Sequence, residues 1–101
     1  MNMQQLVQAM QKAQREFNKE YAQLEAKEFK VNSNGAVEVT LLGNFTLKEI
    51  KILDTDLLKP ENAEELCDMI TIAYNNAKDQ IQKESDELSD KFQRGRKGLT
   101  F

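Results

Sequence analysis

The sequence predicts an α+β protein: a long helix leads into a three-stranded antiparallel meander, and a second long helix follows. Three observations carry that prediction. From Phe29 to Ile52 apolar and polar residues alternate with a period of two, whereas on either side apolar residues recur at steps of three and four. Two turn signals, Ser33-Asn34-Gly35 and Gly43-Asn44, divide the alternating stretch into three runs, because Gly and Asn accept the positive φ of tight hairpins. The chain has 101 residues, the size of one domain with a modest core.

The first helix is expected from about Asn2 to Lys27. Met3, Leu6, Met10, Ala13, Phe17 and Leu24 form its stripe, widened by Val7 and Tyr21, and no Gly or Pro interrupts it. Glu20 falls on the same seam and breaks its regularity. In the meander, Phe29 and Val31 share a face, as do Val37, Val39 and Leu41. The third run has Phe45 and Leu47, then Ile50 and Ile52, so its phase slips by one and a bulge or late strand start is expected. Leu57 and Leu58 are expected to fold back onto the sheet. Pro60 suits a first helical turn, and Asn62 with Glu65 resembles a capping box for the second helix. That helix continues through Leu66, Ile70, Ala73, Tyr74, Ala77, Ile81, Leu88 and Phe92. Residues 1–92 then make one helix-sheet-helix domain, and 93–101 a mobile basic tail.

No apolar run is long enough to span a bilayer, and MNMQQLVQAM lacks the basic start and apolar block of a signal peptide, so an intracellular protein is expected. The single cysteine, Cys67, cannot form an internal disulfide and is expected as a small core residue. There is no His, which excludes Ser-His-Asp and Cys-His catalysis and most zinc sites. The four glycines show no phosphate-loop spacing, and the carboxylates of the second helix read as a solvated face. The chain therefore reads as a non-enzyme without cofactor, metal or small-molecule substrate.

Charge supplies the remaining candidates. The net charge is −3, yet residues 1–19 carry +2 and residues 91–101 carry +4, leaving −9 between them. Lys12, Arg15 and Lys19 are spaced by three and four and form one stripe away from the apolar seam. Arg94, Arg96 and Lys97 lie in the tail that follows the second helix, and because one helix enters the sheet and the other leaves it, the two sets can meet at one far end of the molecule. Such a surface makes phosphate contacts, weak in sequence preference; the alternative is that these are solubilising charges.

Length argues for a second copy. A helix of about 26 residues is about 39 Å long, whereas a seven-residue strand covers about 23 Å. A three-stranded sheet cannot cover both seams. Met3, Leu6 and Met10 on the first helix and Ile81, Leu88 and Phe92 on the second are expected to overhang, and a two-fold homodimer is the commonest way to cover such a surface.

The whole pattern resembles the YbaB/EbfC family of bacterial nucleoid-associated proteins. The residues that carry the resemblance are QAMQKAQ at Gln8 to Gln14, the NG-turned strand pair, EIKILDTDLL at Glu49 to Leu58, and Leu66, Asp68, Ala73, Tyr74, Asn75 and Ala77, which follow an L-x-D then A-aromatic-N-x-A pattern. Gly98, Leu99 and Phe101 resemble the family's ending. The resemblance implies a tweezer-shaped homodimer in the cytoplasm and nucleoid that binds double-stranded DNA, alters its conformation and influences gene expression. The chain departs from many relatives in lacking a Gly-rich leader and in ending GRKGLTF rather than in a Met- and Pro-rich segment. A second function class stays open: a protein-interaction adaptor or holdase that uses the overhanging Met-rich seam.

Overall fold

The protein is described by a computed structural model for residues 2–97, with side chains to Gln93. Helix α1 spans Met3–Ala26, strands β1, β2 and β3 span Glu28–Ser33, Val37–Leu42 and Leu47–Ile52, two short 3-10 turns cover Thr55–Leu58 and Pro60–Asn62, and helix α2 spans Ala63–Lys97. The sheet order is β1-β2-β3, antiparallel throughout. This is the α+β helix-meander-helix expected from the sequence.

A capping box starts α1. Gln5 N donates to Asn2 Oδ1 at 2.8 Å, and the Gln5 side chain accepts from Asn2 N at 3.4 Å. The α2 start differs from expectation. Pro60 opens a 3-10 turn rather than the α-helix, which delays α2 to Ala63 and turns the Asn62 amide away, to donate to Asp56 O at 2.8 Å. At its other end α2 continues past Phe92, through Gly95, to Lys97. The basic tail expected over 93–101 falls partly inside this helix; residues 98–101 lie outside the described residues.

Alternation in β1 and β2 sets Phe29, Val31, Val37, Val39 and Leu41 on one face, where α2 covers them with Ala73, Ala77 and Ile81. Small Ala side chains let the helix lie close to the sheet, and apolar area removed from water stabilises at about 25 cal/mol per Å². The expected slip in the third run is a bulge: Thr40 pairs with Glu49 but Leu41 pairs with Leu47, leaving Lys48 unpaired. Lys48 then reaches across the sheet to an ion pair with Glu28.

Three expectations need correction. Ile81 is fully buried in the core and does not overhang, because α2 still lies over β1 and β2 at that level. Leu57 is buried as expected, but Leu58 is exposed, since a 3-10 turn cannot point both side chains at the sheet. Cys67 is exposed: it sits on the flank of the stripe that runs through Leu66, Ile70 and Ala73.

Each turn holds residues at positive φ. Asn34 (52°) and Gly35 (71°) suit the first hairpin, and Asn32 Oδ1 accepts from Gly35 N at 2.6 Å. In the second hairpin Phe45 sits at φ 69°, a position where glycine is the usual occupant and a bulky residue is strained. Its ring is 42% exposed, so little packing offsets the strain. We expect Phe45→Gly to raise stability by about 1 kcal/mol in urea unfolding; a loss of stability would show that the ring makes a contact worth more than its strain.

Candidate nucleic-acid interface

Beyond the sheet, α1 and α2 run antiparallel as a two-helix arm. Three contacts fix their register. Lys27 Nζ lies 2.7 Å from Glu84 Oε1, Lys91 Nζ donates to both Glu20 carboxylate oxygens at 3.0 and 3.2 Å, and the Phe17 and Phe92 rings meet edge to face at 5.1 Å. Glu20, the irregularity in the apolar seam, thus has its partner on the other helix. These ion pairs are exposed and each contributes at most about 1 kcal/mol, so their role is alignment more than stability. Between the helices lies a groove of about 940 Å³, lined in part by Met10, Ala13, Phe17, Glu20, Lys91 and Phe92.

Each residue further along α2 lies level with one residue earlier on α1. The helical backbone of Arg94, Arg96 and Lys97 therefore approaches the level of Lys12 and Arg15. The side chains of those three lie outside the description. Lys12, Arg15 and Lys19 are all exposed, and among the described residues no carboxylate lies within 4.0 Å of any of them. Their helical angles place them on the side opposite Met10, Phe17 and Leu24, with Lys19 also reaching the rim of the groove.

Most lysines near the sheet differ in this respect. Lys27, Lys30, Lys48, Lys51 and Lys59 each have a carboxylate partner, and Lys91 on the arm is held by Glu20 while its ammonium sits 5.5 Å from the Phe92 ring centre. Ion pairing thus separates arm cations that are available to an external anion from those already neutralised. Lys78 and Lys83 also make no ion pair among the described residues, and neither belongs to a basic stripe in the sequence. Among the described residues no group of His, Cys, Asp and Glu is placed to hold a metal ion, and no helix is long and apolar enough to cross a membrane.

Comparison with known proteins identifies the family and the fold. A nucleoid-associated protein of Metamycoplasma arthritidis is 35% identical over 92 residues, covering 91% of this chain and 95% of the relative. A nucleoid-associated protein of Enterococcus faecalis is 34% identical over 99 residues, covering 97% of this chain and 94% of the relative. The crystal structure of an uncharacterized Helicobacter pylori protein has the same fold, with a TM-score of 0.69 at 21% identity over 90% of this chain and 96% of that one. A family model, the YbaB/EbfC DNA-binding family, matches residues 1–96. With that match over nearly its whole length, the chain belongs to the YbaB/EbfC family of nucleoid-associated, DNA-binding proteins.

Proposed function

We propose that this protein binds double-stranded DNA as a homodimer in the bacterial cytoplasm, chiefly through phosphate contacts, and that it alters the conformation of the DNA and with it nucleoid organisation and gene expression. The observation that carries the reading is the stripe of Lys12, Arg15 and Lys19, without an ion-pair partner among the described residues, on the arm, with Arg94, Arg96 and Lys97 on the helix that runs beside it. Long flexible cations at steps of three and four match the repeating negative charge of a duplex backbone but offer no base-edge code. A two-fold copy doubles the set, and two weak contacts on one duplex reinforce each other through effective concentration.

The test is a gel-shift titration at two salt concentrations, comparing the wild type with a variant carrying Ala at Lys12, Arg15, Lys19, Arg94, Arg96 and Lys97. Wild-type affinity should fall steeply with salt, and the variant should bind weakly with a salt slope reduced by about 1 per lost phosphate contact. Unchanged binding by the variant would sink the site assignment. Binding by neither would favour a second reading, a protein-interaction adaptor or holdase, which draws on the exposure of Met3, Val7 and Met10.

A further inference from the structure

The first three turns of α1 have no partner among the described residues. Lys97, where the described part of α2 ends, lies level with about residue 13 of α1, so Met3 to Met10 project beyond it. Met3 is 83% exposed, Val7 47% and Met10 46%. Helical spacing gathers Met3, Leu6, Val7 and Met10 into an arc of about 100°.

Two features of this segment specify what covers it. Residues 2–11 contain no charged side chain, in a chain that is 31% charged. An acidic or basic partner would find nothing there to pair with. The apolar residues are also spaced three, one and three, an order that reads the same in both directions. An antiparallel pair of these segments sets Met3 against Met10, Leu6 against Val7 and Gln5 against Gln8, and a two-fold contact requires that each such pairing occur twice. Direction follows from charge. A parallel pair would set the two positive helix N-termini side by side, whereas the antiparallel pair places them at opposite ends of the contact.

We propose that the Met3–Met10 face of α1 pairs antiparallel with the same face of a second copy, joining one homodimer to another. The joining of dimers rests on the homodimer reading above; the tip contact itself does not. The molecule is 70 Å long, with the sheet and the α1 tip far apart along it, so one copy seated on the sheet leaves the tip free. Lys12, Arg15 and Lys19 lie on the other side of α1 and stay available to DNA, so tip pairing bridges two DNA-bound dimers. About two turns make a small contact, in the class of weak encounters below about 1,200 Å². It forms in solution only as concentration rises and is strengthened where dimers are held close on DNA.

The experiment uses a Cys67→Ser background, because Cys67 is exposed and would cross-link on its own. Val7→Cys places a thiol beside the two-fold axis. Met3→Cys places it about 10 Å from its own copy along the helix, beyond the reach of a disulfide, but opposite position 10. Under mild oxidation Val7→Cys should cross-link and Met3→Cys alone should not, while a mixture of Met3→Cys and Met10→Cys chains should. Sedimentation equilibrium should show wild type passing from dimer to tetramer with concentration, and Val7→Glu losing the tetramer while keeping the dimer and its helical circular dichroism. Cross-linking of Met3→Cys alone, a tetramer unchanged by Val7→Glu, or a Val7 cross-link confined to dimer-sized particles would overturn the proposal. A Val7→Glu chain that is only monomeric would instead keep the tip contact and remove the homodimer reading.

Discussion

Replacing Gly43 with alanine should destabilise the protein by about 3 kcal/mol or more, the range in which a core is overpacked against groups that cannot move. A β-carbon there would collide with the Leu24 carbonyl oxygen and come within 2.6 Å of the Leu24 carbonyl carbon and 3.1 Å of the Glu25 Cα. All three are backbone atoms in the last turn of a helix, held by its hydrogen bonds. The close approach exists because the second hairpin docks on the end of α1: Gly43 N donates to Lys27 O at 2.9 Å and Asn44 N to Glu25 O at 3.2 Å. Together with buried Leu24 these bonds hold the base of α1 to the sheet, since the middle of α1 packs on α2. The matched control is Gly35→Ala. No atom lies within 4 Å of a β-carbon at Gly35, and its φ of 71° leaves only the left-handed penalty of about 1 kcal/mol. Urea unfolding of the two variants side by side decides the matter: equal losses would show that the hairpin-helix contact yields easily. Loss of that anchor also frees the direction of the arm, so DNA affinity should fall more in Gly43→Ala than in Gly35→Ala.

That contrast marks how far sequence alone could be read. Both glycines spell a turn, and the turn is what the sequence discloses. One of them also marks a contact between residues about 20 positions apart, which no local pattern encodes. The faces of β1 and β2 were legible because burial on one side imposes strict alternation on Val37, Val39 and Leu41. The bulge at Lys48 was legible for the same reason, since a slip in phase between Leu47 and Ile50 has few other causes. The positive φ of Phe45 was not, because an aromatic residue is the last expected there. Glu20 reads as a flaw in the seam, and its partner Lys91 stands 71 residues later in the chain. In the candidate site the stripe of Lys12, Arg15 and Lys19 followed from helical spacing alone. Which lysines are neutralised is a tertiary fact, and so is the level at which α2 brings its basic end alongside α1. Cys67 illustrates the limit at a stripe's edge, where one step of 100° separates core from solvent.

Ile50→Glu should convert the proposed homodimer to a folded monomer, weakening association by about two to three orders of magnitude through the cost of burying an unpaired carboxylate. The apolar face of the sheet does not stop where α2 stops covering it. Val39 is fully buried, but Ile50, directly opposite on β3, is 40% exposed, and Leu47, opposite buried Leu41, is 47% exposed. Leu53, Leu58 and Ile72 add exposed apolar groups from the connector and α2. An edge strand with unpaired backbone groups and half-exposed branched side chains is a liability unless something packs on it. A second copy offers the same row by two-fold symmetry. Because Ile50 is already partly in water within the chain, glutamate there should leave the fold intact, with unchanged helical circular dichroism and a sedimentation mass halved. Loss of the dimer should also weaken DNA binding, since a single arm set loses the gain of two linked sites. Should Ile50→Glu remain dimeric at the same concentration as wild type, β3 is not the dimer face. Should it turn monomeric yet bind DNA with unchanged affinity and salt slope, a single arm carries recognition by itself and the doubled basic surface is not required.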